Sequence, residues 1–101
     1  MDKAKAFEWY TKSAEQGFAE GQCNVGYMYA NGYGVTKDYK KAVEWYTKAA
    51  EQGYADGQYS LGRMYKHGDG VTMDEAKAVE WCTKAAEQGH QIAIDALEEL
   101  S

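Results

Sequence analysis

The chain carries no excess of positive charge, no long apolar run and little cysteine, and each shortage removes a class of function. Eleven Lys and Arg stand against sixteen Asp and Glu, for a formal charge of −5. A nucleic-acid binder needs a basic stripe to neutralise phosphates, so this balance argues against one and mildly favours basic partners. No stretch of 18 apolar residues exists, which excludes a membrane-spanning helix. The opening "MDKAKAFEWY" lacks the apolar core of a signal peptide. The two cysteines, Cys23 and Cys82, sit at unequal places in an otherwise repeating pattern. A disulfide framework would put them at matching places, so they read as two free packing thiols. Free thiols suit a reducing compartment, and the cytoplasm is favoured on that ground.

What the chain does have is one phrase written three times: "EWYTKSAEQG" at 8–17, "EWYTKAAEQG" at 44–53 and "EWCTKAAEQG" at 80–89, always 36 residues apart. Overlaying 8–43 on 44–79 gives 23 identities in 36 positions. A period of that length is the mark of helix–turn–helix solenoids. Within a unit, Ala42, Trp45, Tyr46, Ala49 and Ala50 form an i, i+3, i+4, i+7, i+8 stripe, which predicts a helix from near Asp38 to Gln52. Gly53, like Gly17 and Gly89, follows as a left-handed cap. Thr36 and Asp38 signal the start, and "TMDE" at 72–75 has capping-box form.

The second helix of a unit runs from about Ala55 to Lys66 and ends in "HGDGV" (67–71), matched by "NGYGV" (31–35). Gly62 and its counterpart Gly26 lie in mid-helix, where glycine costs about 0.5–1 kcal/mol relative to alanine. That cost, incurred twice at one place, implies a neighbouring helix too close for a side chain. Six helices are expected, over about 3–16, 19–30, 38–52, 55–66, 74–88 and 91–100, with no strand.

The string "LGRMYKHGDGVTMDEAKAVEWCTKAAEQG" resembles a Sel-one-like repeat, a relative of the tetratricopeptide family. Its Leu-Gly pair, Tyr, Gly-x-Gly-Val loop, Asp, Lys-Ala, Trp and Ala-Ala-Glu-x-Gly end carry the likeness, which covers essentially the whole chain. The resemblance implies an all-α, right-handed α/α superhelix that serves as a scaffold for protein–protein contacts on an extended concave face. The units would be a half repeat over 1–18, repeats over 19–54 and 55–90, and a capping helix over 91–101.

Met1-Asp2 aligns with Met73-Asp74, so the chain is expected to begin in mid-repeat, leaving Phe7, Trp9 or Tyr10 uncovered; Phe7 and Tyr10 are the candidate docking residues there. At the far end, Glu98 takes the place of Gly26 and Gly62, as a capping repeat requires, and this terminus is expected to be the natural one.

The chemistry of a catalyst is missing. "GYG" and "GDG" lack the preceding strand and the Gly-Lys-Ser/Thr of a phosphate cradle. His67 and His90 are too far apart for a local metal pair. Some cysteine-rich relatives of the family are described as binding or hydrolysing β-lactams, yet this chain has no Ser-x-x-Lys, Ser-Asp-Asn or Lys-Thr-Gly, and the relatives' paired cysteines fall on Ala50 and Gln58. No catalytic, cofactor-binding or metal-binding residue is expected. Trp9, Trp45 and Trp81 recur in register and read as core.

Function is therefore sought where the copies differ. On the face opposite Val25, Gly26 and Tyr29 lie Asn24, Tyr27, Met28 and Asn31, and the next copy places Ser60, Arg63, Met64 and His67 there. In related solenoids this face lines the concave groove, and Tyr and Arg are favoured hot-spot residues. The expected function is a non-catalytic module that binds a peptide or helix of another protein. The alternative is an assembly element, forming a homodimer or longer array through the N-terminal helix. A β-lactam-binding or hydrolytic protein stands third.

Overall fold

The 36-residue rhythm of the sequence becomes a stack of helices. The computed structural model describes residues 2–100: α1 (Lys3–Glu15), α2 (Ala19–Asn31), α3 (Tyr39–Glu51), α4 (Ala55–His67), α5 (Glu75–Glu87) and α6 (Gln91–Leu100), with no strand among them. Each helix packs on the next in order, and α2 also touches α4, so the layers stack along one direction into an elongated body of 40 × 24 × 21 Å.

Aspartates set the starts of α1, α3 and α5. Asp38 accepts the Lys41 backbone N–H at 3.1 Å, Asp74 accepts that of Lys77 at 3.0 Å, and Asp2 accepts that of Ala4 at 2.8 Å. The cap therefore sits on Asp74 rather than on Thr72 at the head of "TMDE". The ends are closed as anticipated. At Gly53 (φ +87°) the Tyr54 N–H reaches Ala49 O at 3.2 Å while the Gly53 N–H reaches Ala50 O at 3.0 Å, the paired bonds of a Schellman turn.

Between layers, the mid-helix glycines allow close contact. A Cβ on Gly26 would lie 2.8 Å from the Tyr46 ring, and one on Gly62 would lie 2.7 Å from Cys82 Sγ. The main core follows from this contact: Cys23, Ala42, Tyr46, Ala49, Ala50, Leu61 and Met64 are buried together, with Val71 and Trp81 partly buried against them. The tryptophans do not all join it. Trp45 and Trp81 are half-buried under Lys48 and Lys84, whereas Trp9 is 71% exposed.

A second device recurs with the period. Gln22 is buried and donates to Ala14 O at 3.3 Å; its own Oε1 accepts Gln52 Nε2 at 2.8 Å, and the same amide reaches Gly17 O at 2.8 Å. One unit later, Gln58 donates to Ala50 O at 3.3 Å, and Gln88 reaches Gln58 Oε1 at 2.9 Å and Gly53 O at 2.8 Å. Each rung satisfies a buried amide and ties a unit to the one before it.

Candidate partner-binding groove

The second helices of successive units diverge enough to leave a cleft of about 680 Å³ between α2, α4 and the start of α6, floored in part by Tyr39 and Tyr46 of α3. Asn24, Tyr27 and Asn31 line it from α2, and Ser60, Arg63, Met64 and His67 line it from α4. The i, i+3, i+4, i+7 spacing of both sets places each along one side of its helix.

Met28 is the exception on this face. It follows Val25 by three residues and shares that residue's inward side, so it is 7% exposed and lies off the cleft. Met64 is equally buried, at 6% exposed, but shows its edge to the groove. Phe7 is half-buried, its ring packing edge-on against Tyr29 of α2 at 5.3 Å. Tyr10 remains exposed and borders a separate depression.

The groove wall is ordered by contacts that begin at Arg63. Its guanidinium lies 5.9 Å from the Tyr59 ring, Tyr59 stacks on His90 at 5.1 Å, and His90 Nε2 meets Asp56 at 2.6 Å. His90 Nδ1 accepts the Ala93 N–H at 3.1 Å, so the tautomer that satisfies both bonds carries its proton on Nε2 and donates it to Asp56. His90 thereby caps α6, a role that Phe18 and Tyr54 cannot fill in the earlier copies. Asp56 is engaged by this bond, while Arg63, the chain's one arginine, has no carboxylate partner among the described residues. Across the cleft, Asn31 Nδ2 donates to Tyr27 O at 2.8 Å and the rings of Tyr27 and Tyr33 lie 5.7 Å apart.

The floor is dry enough to shift protons. Burial pushes the Cys23 thiol up to about 12, with the charges of Asp56 and Glu20 adding to it. Burial also raises the Tyr46 phenol, helped by Cys23 and opposed by the Ser60 side chain and the Arg63 charge. Both groups stay protonated, and no three His, Cys, Asp or Glu among the described residues are placed to hold a metal ion.

Sequence reasoning passed over Tyr59, His90 and Ile92 as groove residues. A signal existed for two of them. Tyr59 stands where the previous copy has Cys23, and His90 stands where the others have Phe18 and Tyr54, so each departs from the repeat.

A stack of antiparallel helix pairs with a cleft along its second helices defines an α/α solenoid. The family model described as the Sel1 repeat matches residues 2–18, 19–54 and 55–90, and the chain belongs to that family. Its fold is shared with a protective antigen of uropathogenic Escherichia coli, c5321, at 47% identity and a TM-score of 0.92 over 95% of this chain and 21% of that one. A Sel1 repeat protein from Oxalobacter formigenes matches at 41% identity and a TM-score of 0.84, over 89% of this chain and 37% of that one. Cysteine-rich protein B of Helicobacter pylori matches at 33% identity and a TM-score of 0.87, over 95% and 72% respectively. A comparison with curated protein sequences finds no match. The chain thus spans about a fifth of the E. coli protein and a little over a third of the Oxalobacter one. Proteins of this family are in general non-catalytic scaffolds for protein interaction. No helix among the described residues is long and apolar enough to cross a membrane.

Proposed function

We propose that the protein is a non-catalytic interaction module whose α2–α4 groove captures a peptide or a helix of another protein. One observation carries this reading: six side chains at positions where the repeat varies (Asn24, Tyr27, Asn31, Ser60, Arg63 and His67) converge on a single open cleft. Its donors (the Asn24 amide, the Ser60 hydroxyl and the Arg63 guanidinium) stand beside the exposed Tyr27 ring, a mixture suited to reading a backbone and one anchoring side chain.

Selection from a displayed peptide library tests the reading. Selected peptides should lose at least roughly tenfold in affinity on Tyr27→Ala or Arg63→Ala, the scale of a single hot-spot residue. Peptides indifferent to both substitutions would contradict it.

A second reading is assembly through the N-terminal helix. It is favoured by Trp9 and by Phe18, 60% exposed, which flank a depression of about 400 Å³ that Tyr10 also lines.

A further inference from the structure

Charge is laid out along the α2–α4 groove in a definite order. Of its lining residues one carries a permanent positive charge, Arg63, and two are carboxylates, Asp56 and Asp69. Asp56 stands in the first turn of α4, seven residues and about 10 Å along the helix axis from Arg63. Asp69 lies beyond the other end of that helix, in the loop that follows His67. The cation therefore sits inside the groove with a carboxylate towards each end. Asp56 accepts the His90 bond, and the charge of Asp69 acts on Lys37. Neither is within ion-pair distance of Arg63, which has no carboxylate partner among the described residues.

The surroundings of Arg63 suit it to hold an anion. Its guanidinium lies 5.9 Å from the Tyr59 ring, and Tyr59 stacks on His90 at 5.1 Å, so the planar fork is steered by its neighbours. Arg63, Ser60 and Tyr27 all act on the buried Tyr46 phenol on the floor. Three hydroxyls and one guanidinium thus share the middle of the groove, and each hydroxyl can donate a hydrogen bond. The Asn24 amide adds a further donor from α2. A negatively charged acceptor is the group that uses all of them.

We infer that the middle of the groove holds the carboxylate of an internal Asp or Glu of the partner peptide, paired with Arg63 and flanked by neutral or basic residues. This occupant rests on the groove reading above, to which it adds a charge pattern. The acid is internal because the lining continues past Arg63 both ways, to Asp56 on one side and to His67 and Asp69 on the other. A peptide that ended at Arg63 would leave part of the cleft empty. The acid stands alone because the carboxylates towards the two ends repel a second one. The exposed Tyr27 ring, at the place on α2 equivalent to Arg63, offers apolar surface to a neighbouring side chain. The chain's charge of −5 acts in the same sense, favouring a segment that is basic overall around its one acid.

Peptides selected on the full chain from a displayed random library, and kept only if Tyr27→Ala weakens them, provide the test. These peptides should share one acidic residue. Changing that residue to its amide should weaken binding to the wild-type chain at least about tenfold, the scale of a charge-assisted hydrogen-bonded pair. The same change should matter far less on Arg63→Gln. On Arg63→Glu the preference should reverse, with lysine at that peptide position binding more tightly than the acid. Arg63 is exposed, and circular dichroism checks that both variants fold. The amide change is made on the peptide, so its effect on the wild-type chain stands whether or not a variant folds. Groove-dependent peptides without a common acid overturn the inference and leave the groove reading standing. So does an amide change that costs as much on Arg63→Gln as on the wild type, or tighter binding when acids are added on both sides of the first. A library that yields no Tyr27-dependent peptide overturns the groove reading and the inference with it.

Discussion

Cys23 shows how far the groove floor is withdrawn from water. Its thiol, 9.0 in an exposed setting, is pushed up to about 12 by burial first and by Asp56 and Glu20 second. The folded state holds this proton more tightly than the unfolded chain does. The associated stability is therefore complete below about pH 9 and is lost as pH rises from 9 towards 12. Burial moves Cys82, Tyr46 and Tyr54 in the same direction. Urea unfolding should accordingly show a midpoint that is flat from pH 7 to 8.5 and lower at pH 10, with Cys23 alone costing about 1 kcal/mol there. Cys23→Ala should flatten that fall. At neutral pH, alkylation of Cys23 should be limited by opening of the fold; labelling at the rate of a free thiol would contradict its burial.

At the scale of the element, what holds one helix pair to the next is polar as well as apolar. Gln88→Ala would leave Gln58 Oε1 without its donor and should destabilise the protein by about 1–2 kcal/mol. Gln16→Ala, at the equivalent place on the open face of α1, should change stability by less than about 0.5 kcal/mol. Equal effects in thermal or chemical denaturation would mean that the rungs contribute nothing. The α6 cap makes a parallel case: His90→Ala should cost about 1 kcal/mol and speed amide exchange in the first turn of α6, while His90→Asn, which retains a capping oxygen, should recover part of the loss.

These elements were legible in the sequence to different degrees. The helix limits emerged within a residue or so because glycine and aspartate punctuate every copy, and Gly26 and Gly62 announced close packing by occurring where a helix disfavours them. The side assignment of Met28 failed because a wheel drawn for one helix does not show that α2 is covered by both α1 and α3, which turns the Val25–Met28 row inward. Trp9 was grouped with its counterparts because periodicity equates positions whose neighbours differ. The glutamine rungs went unread although Gln16, Gln22, Gln52, Gln58 and Gln88 keep the period, since a polar residue at a helix end looks like surface until its partner 30 residues away is seen.

For the whole molecule, two surfaces follow from one construction. Stacking the units buries their repeated residues and brings the variable ones of α2 and α4 to a shared cleft, while Trp9, Tyr10 and Phe18 of the first layer stay exposed around a second depression. The central claim is that the cleft is the binding site. It is tested most directly by nuclear magnetic resonance of the labelled chain titrated with a library-selected peptide. The account predicts that the largest amide shifts fall on Asn24, Tyr27, Asn31, Ser60, Arg63 and His67, with the exposed α1 residues Trp9 and Tyr10 undisturbed. Shifts gathered on Trp9, Tyr10 and Phe18, with the α2–α4 face silent, would contradict it and move binding to the N-terminal helix.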